Sequence, residues 1–308
     1  MEFNHISVLK HESISGLNIK PDGIYVDCTL GGGGHSFEIA KRLTSGRLIC
    51  FDKDEEAIKY ATTVLSEHLN KITIVHSNFK NIKQCLYDLG IYKVDGILCD
   101  LGVSSYQLDT AERGFSYRYD ARLDMRMDQS KGISAYEVVN NYSDKQLQKI
   151  LFSYGEEKNT FAVVKKIITQ RAIKPIETTF ELKDIITSCY PPKDRNKPAL
   201  ANKVFQAIRI EVNNELDDLD SLEDMIELLN PGGRLCVITF HPLEDRIAKN
   251  VFKLHSTDCL CPPRLPKCVC GHISDITLIS KKPIIPSDEE LLHNSRSASA
   301  KLRVIEKK

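Results

Sequence analysis

The chain has 308 residues, enough for one large domain or two modest ones with a substantial core. Its 42 Lys and Arg balance 42 Asp and Glu, so no global basic field announces a polyanionic partner; any such partner needs a local patch. No apolar run approaches the length of a membrane span, and the first residues carry no basic stretch followed by an apolar one, so neither a membrane partner nor a signal peptide is expected.

The first strong pattern is Gly23-Ile24-Tyr25-Val26-Asp27-Cys28-Thr29-Leu30 running into Gly31-Gly32-Gly33-Gly34-His35, with Phe37 to Leu43 resuming an apolar period. It reads as strand, tight turn and helix, with glycines that let a ligand lie against the backbone. Leu48-Ile49-Cys50-Phe51 is a second strand ending in Asp52, an acid placed to accept hydrogen bonds from a ribose. Asp54 caps a helix whose apolar positions are Ile58, Ala61, Leu65 and Leu69. Lys71–His76 is a third strand, followed by Phe79, a residue placed either to stack on an adenine or to pack beneath the next helix. Asn81–Leu89 is a short helix, and Val94–Cys99 a fourth strand ending in Asp100. Alternating strands and helices predict right-handed crossovers and a parallel α/β sheet.

The alternation stops after Asp100-Leu101-Gly102-Val103-Ser104-Ser105. From Tyr106 to Pro198 the patterns are helical, too long for a loop, and predict an inserted helical domain. The expected division is residues 1–105, then the insertion at 106–200, then the sheet domain again at 201–308. A long amphipathic helix is expected from Ala201 through Leu229, ended by Asn230-Pro231-Gly232-Gly233. Arg234–Phe240 is a fifth strand, Leu243–Leu254 a helix, and Ile276–Ile279 and Lys301–Ile305 two closing strands.

The glycine turn suits two cofactor classes. A dinucleotide fingerprint needs a third glycine inside the helix, and Ser36 or Phe37 stands there. S-adenosylmethionine needs close backbone approach, which the dense Gly31–Gly34 run offers better. Asp100, at the carboxyl edge with Ser104 and Ser105 behind it, can receive hydrogen bonds from an amine held before the cofactor, or simply belong to a capped turn. Arg113, Arg118, Arg122 and Arg126 interleave with Phe115, Tyr117 and Tyr119, a pattern that fits unpaired nucleic acid. Asp109, Glu112, Asp120, Asp124 and Asp128 balance every arginine, so composition alone favours a solvated charged face. His241 faces the same sheet edge and is taken as a packed or capping histidine.

Of ten cysteines, Cys28, Cys50, Cys99 and Cys236 fall singly in apolar strands and read as small core residues in a reducing compartment, which predicts a cytoplasmic protein. Cys259-x-Cys261 and Cys268-x-Cys270 flank a proline-rich loop. Their one-residue spacing leaves zinc and reduced thiols both open, and no metal ligand is assigned.

Taken together, the chain closely resembles the bacterial small-subunit rRNA (cytosine-N4) methyltransferase family, the MraW-like proteins. The resemblance runs from His5, Val8-Leu9 and Glu12 to the last strand. It includes Gly32-Gly33-Gly34-His35-Ser36, Asp100–Ser105 with Gln107-Leu108-Asp109, Arg113-Gly114-Phe115-Ser116 and Leu123–Asp128. It continues through Tyr154–Glu157, Phe205–Ile210, Pro231–Leu235 and Leu243–Arg246. It implies a Rossmann-like, seven-stranded S-adenosylmethionine-dependent methyltransferase domain with an inserted all-α domain. The implied reaction is N4-methylation of a decoding-centre cytidine of 16S rRNA, with the small ribosomal subunit as partner and no DNA. Carried over by position, cofactor contacts fall on Gly33, Gly34, His35, Asp52, Phe79, Asp100 and Gln107, the last supplied by the resemblance alone. Asp100 is also the candidate catalytic acceptor. Pro242 and the Asn196–Ala201 stretch depart from the family pattern. On the residues themselves three other readings stay open: a nicotinamide-dependent oxidoreductase, a silent RNA-binding assembly protein, and a methyltransferase for another nucleic acid or a small molecule.

Overall fold

The computed structural model describes residues 7–157, 159–194, 199–262, 265 and 267–308. His5, Asn196, Lys197 and Pro198, singled out above, lie outside the described residues. The chain divides into two compact units, residues 1–102 with 216–308, and residues 103–215.

In the first unit, α1 (Lys10–Leu17) precedes β1 (Ile24–Asp27), α2 (Gly34–Arg42), β2 (Arg47–Asp52), α3 (Glu55–Val64), β3 (Ile72–His76), α4 (Ile82–Asp88) and β4 (Val94–Asp100). Asp54 caps α3 by accepting the Glu56 N–H, as its position before two glutamates predicts. The second unit holds α5 (Ser105–Asp109), α6 (Ala135–Asn141), α7 (Asp144–Ser153), α8 (Thr160–Arg171), α9 (Thr179–Ser188) and α10 (Ala199–Asn213). The first unit resumes with α11 (Leu222–Leu228), β5 (Leu229–Thr239), α12 (Pro242–Ser256), β6 (Ile276–Leu278), α13 (Asp288–His293) and β7 (Lys301–Lys307).

The seven strands form one sheet in the order β3-β2-β1-β4-β5-β7-β6. Only β7 runs against the rest, pairing antiparallel with both β5 and β6. Alternate residues of the central strands feed two cores. Val26, Ile49, Ile97 and Val237 face Ile82, Met225 and Phe252. Tyr25, Leu48, Leu98 and Ile238 face Leu17, Ile39 and Ala61. With both faces covered, the inner strands read as continuous apolar runs rather than alternating ones. Cys28, Cys50, Cys99 and Cys236 are buried free thiols within these cores.

The helical unit packs a core of its own around Leu123, Val138, Leu151, Val164, Ile186 and Ile208. Its helices announce themselves locally: Ser134 with Glu137, Ser143 with Gln146 and Thr178 with Glu181 each form a reciprocal capping box.

Two expectations need correction. The single helix over 201–229 is three elements: α10, a 3-10 turn at Asp217–Ser221, and α11. The break falls where Asn214 takes a left-handed φ of 52° and the Asn213 amide donates to the Met125 carbonyl at 2.8 Å. Val204, Phe205, Ile208 and Val212 of α10 join the helical core, so this helix belongs to the inserted unit, which spans 103–215 rather than 106–200. A helix does end just before Asn230-Pro231-Gly232-Gly233, since α11 stops at Leu228, but the stretch is not a loop. It lies within β5, as a bulge whose register slips opposite Val94 and Gly96.

Candidate functional site

In the sheet the strand order reverses between β1 and β4, and in open α/β sheets ligands bind at that point, outside the carboxyl ends of the strands. Asp27, Asp52 and Asp100 end β1, β2 and β4. The structure therefore gathers the glycine turn, His35 and all three acids at one edge of one unit, with Phe79 just past β3.

The turn is built by its glycines and held by the acids. Gly33, the N-cap of α2, has a φ of 80°, a left-handed conformation that L side chains resist. A Cβ on Gly34 would lie 2.1 Å from the Ser7 Oγ, so a side chain there would require the Ser7 hydroxyl to turn away. The Gly31 N–H donates to Asp52 Oδ2 at 2.8 Å, and the Asp54 N–H to Asp52 Oδ1 at 2.9 Å. Each Asp52 oxygen keeps a lone pair for a further donor such as a ribose hydroxyl. Asp27 accepts from the Ser36 hydroxyl at 2.7 Å and the Thr29 N–H at 3.1 Å, tying the strand end to the first turn of α2.

His35 is buried, with Nε2 3.1 Å from the Val8 carbonyl. A carbonyl only accepts, so Nε2 carries the hydrogen. Its Nδ1 lies 3.7 Å from Asp100 Oδ2, too far for a hydrogen bond. The Asp100 side chain is 20% exposed, yet its Oδ1 is buried and has no hydrogen-bond partner among the described residues. A buried polar atom left without a partner is costly and points to a missing donor. The Asp100 backbone is pinned by its N–H to the Thr29 hydroxyl at 2.7 Å.

The three acids crowd one another. Burial pushes the Asp27 carboxyl up to about 7, and the charge of Asp52 adds to this. Burial raises Asp52 as well, against the hydrogen bonds from Asp54 and Gly31. Asp100 is raised well above the ordinary carboxylate range, first by burial and then by the charges of Asp27, Glu244 and Glu290. Such a cluster favours a cationic ligand and resists an anionic one. Moreover, the Gly31 N–H, which a dinucleotide pyrophosphate would need, is already given to Asp52.

Phe79 opens a 3-10 turn and is half-buried, one side packed against the core that includes Ile82. Beside it Asn78 donates to Asp218 at 2.8 Å, and Lys53 lies 3.4 Å from the same carboxylate. His241 is the N-cap of α12, receiving the Glu244 N–H, in keeping with the capping role expected. Gln107 lies in the helical unit, where its Oε1 accepts the Ser104 N–H and completes a capping box on α5.

Two of the four arginines of the interleaved segment are held by the protein itself. Arg113 is buried and donates to the Arg126 and Met127 carbonyls at 2.9 and 3.0 Å. Arg126 is held in a bidentate pair by Asp124 at 2.7 and 3.0 Å. Arg118 and Arg122 are exposed.

Asp27, Ser7 and Asp218 were not chosen from the sequence. Asp27 carried the same signal as Asp52 and Asp100, an acid closing a strand. Ser7 and Asp218 carried none, because only the fold brings them to Gly34 and Asn78.

A seven-stranded sheet in this order, with one antiparallel strand and a glycine turn at its switch point, defines the Rossmann-like fold of S-adenosylmethionine-dependent methyltransferases. The chain belongs to the MraW methylase family, whose profile matches residues 2–308. It is 55% identical over 310 residues to ribosomal RNA small subunit methyltransferase H of Finegoldia magna, covering 100% of this chain and 99% of that protein. Proteins of the same name from Clostridioides difficile and Clostridium botulinum are 55% and 56% identical, with the full length of each chain covered. No helix among the described residues is long and apolar enough to cross a membrane.

Proposed function

We propose that the chain is an S-adenosylmethionine-dependent methyltransferase acting on N4 of a cytidine in the small-subunit ribosomal RNA, in the cytoplasm. The observation that carries the cofactor reading is the acid-crowded glycine turn, with its orphaned buried Asp100 Oδ1. S-adenosylmethionine bears a sulfonium and an ammonium and no phosphate, so its charge relieves the mutual repulsion of the acids. Gly33 and Gly34 give the backbone approach, Asp52 the ribose acceptors and Phe79 an apolar face for the adenine; His35 completes the proposed contacts within this unit. The relatives' shared name supports ribosomal RNA as the substrate.

When bound, the cofactor supplies an electrophilic methyl group for the cytosine amine. That amine is a weak nucleophile because its lone pair is delocalised into the ring, so the protein's task is alignment. Asp100, with an unfilled acceptor at the cradle, would orient the amine hydrogens. Its backbone is fixed through Thr29, which keeps that acceptor in place. The base must leave its stack to reach such a buried group.

The test is transfer of labelled methyl groups to small ribosomal subunits from cells lacking this protein, with the modified nucleoside mapped by mass spectrometry. Wild-type chain should restore one N4-methylcytidine. Asp100→Asn should lower kcat about a hundredfold, the scale of a lost alignment. Transfer by Asp100→Asn at the wild-type rate would remove its role. Absence of any transfer by the wild-type chain would leave an RNA-binding assembly protein as the better reading.

A further inference from the structure

Between α12 and β6 the chain makes an excursion that buries almost nothing. From residue 258 to 273 every described residue is exposed or half-exposed, including Leu260, Val269 and Ile273. What converges instead is sulfur. Cys259 Sγ lies 3.4 Å from Cys268 Sγ, Cys268 Sγ 3.5 Å from Cys270 Sγ, and Cys270 Sγ 3.9 Å from Cys259 Sγ. The Cys261 sulfur joins them, and all four lie within 4.8 Å of one another.

These separations select one arrangement. A disulfide brings sulfurs to about 2.05 Å, and all four cysteines are free thiols. One ion at about 2.3 Å from four sulfurs sets them about 3.8 Å apart at the corners of a tetrahedron. The observed distances straddle that value. Four thiolates in tetrahedral array are the soft donor set of a closed structural site, not of a catalytic one with an open position.

The backbone around the sulfurs is organised to match. The Leu260 N–H, between the first pair of cysteines, points to the Cys270 sulfur at 3.4 Å. The Val269 N–H, between the second pair, points to the Cys261 sulfur at 3.4 Å. Each arm thus donates an amide to a sulfur of the other, and amides aimed at sulfur stabilise thiolate ligands. One residue between paired cysteines, a spacing unlike the usual two, is what lets the intervening amide of each arm reach across.

The base of the excursion is fixed independently. His272 Nε2 lies 3.0 Å from the Leu254 carbonyl, the Asp275 N–H donates to the His255 carbonyl at 3.0 Å, and the Ser274 hydroxyl bonds Asp258. A segment with a secured base and no apolar core needs another centre to hold its tip.

We propose that Cys259, Cys261, Cys268 and Cys270 bind one zinc ion as a structural site that clamps this excursion. Binding releases thiol protons to solvent and leaves the ion bound by four thiolates. The site lies on the side of α12 away from its N-terminal cap, on residues that the methyl-transfer reading does not use.

The test uses the full-length chain, purified in reductant without chelator. Elemental analysis should find about one zinc per chain. The double variant Cys259→Ser, Cys268→Ser should lose at least nine-tenths of it, while Cys85→Ser keeps it. Independently of any variant, cobalt added to the stripped wild-type chain should give the intense visible bands of a tetrahedral tetrathiolate, ending at one equivalent and bleached by zinc. Negligible zinc in the wild-type chain together with no tetrahedral cobalt spectrum would overturn the proposal. So would a disulfide among these four residues in protein kept under reductant.

Discussion

At the scale of single residues, the cradle depends on atoms that do two things at once. Asp52 orders the glycine turn through two backbone amides and still offers lone pairs outward. Asp52→Ala should therefore weaken S-adenosylmethionine binding by about 1.5–3 kcal/mol, roughly tenfold to a hundredfold in Kd by calorimetry. Unchanged affinity would remove Asp52 from the site. Gly34 offers a sharper test, because its constraint comes from one atom. Gly34→Ala sets a methyl group against the Ser7 Oγ, whereas the Ser7 Cβ stands at an ordinary 3.4 Å. Because rotation of the Ser7 hydroxyl relieves the clash, the alanine variant should lose cofactor affinity by only about threefold, and adding Ser7→Ala should restore it. If Ser7→Ala brings no rescue, the loss has another origin.

At the scale of elements, what could be read in advance was what is written locally. The strand ends at Asp52 and Asp100, the Asp54 cap and the glycine turn all sit within a few residues of their own signals. What could not be read depends on distant partners. The boundary after α10 is set by Asn213, whose side chain accepts the Met127 N–H at 2.8 Å and donates to the Met125 carbonyl at 2.8 Å. Nothing in the periodicity of 201–229 reveals contacts made some 86 positions away. For the same reason Arg113 and Arg126 resembled phosphate-binding cations, since only the fold shows the carbonyls and the carboxylate that occupy them. Asn213→Ala leaves a buried donor and a buried acceptor without partners. It should destabilise the helical unit by about 2–4 kcal/mol in urea denaturation. A loss below about 0.5 kcal/mol would show that this bridge is not what ends α10.

At the scale of the whole molecule, a chain of zero net charge concentrates acid at one sheet edge. That local excess, rather than any global field, distinguishes the candidate cofactors. Alternating strands and helices were enough to anticipate a parallel sheet, but not the late antiparallel β7, because short closing strands carry no record of direction. Gln107 shows the other limit: it entered only through resemblance, and its visible task is to cap α5.

The central claim is that this edge binds a cation, and the pH dependence of binding tests it most directly. Asp52 and Asp100 hold their protons to higher pH than free carboxylates. A cation prefers them ionised, so binding at low pH must expel a proton, and affinity should rise with pH by up to about tenfold per unit until the free-state carboxyls have ionised. Calorimetric titration of the wild-type chain with S-adenosylmethionine across pH 5.5–8, in buffers of different ionisation heat, should show one site per chain, proton release and tightening with pH, with no binding of NAD. Saturable NAD binding, or S-adenosylmethionine affinity that is flat or falls as pH rises, would contradict the account.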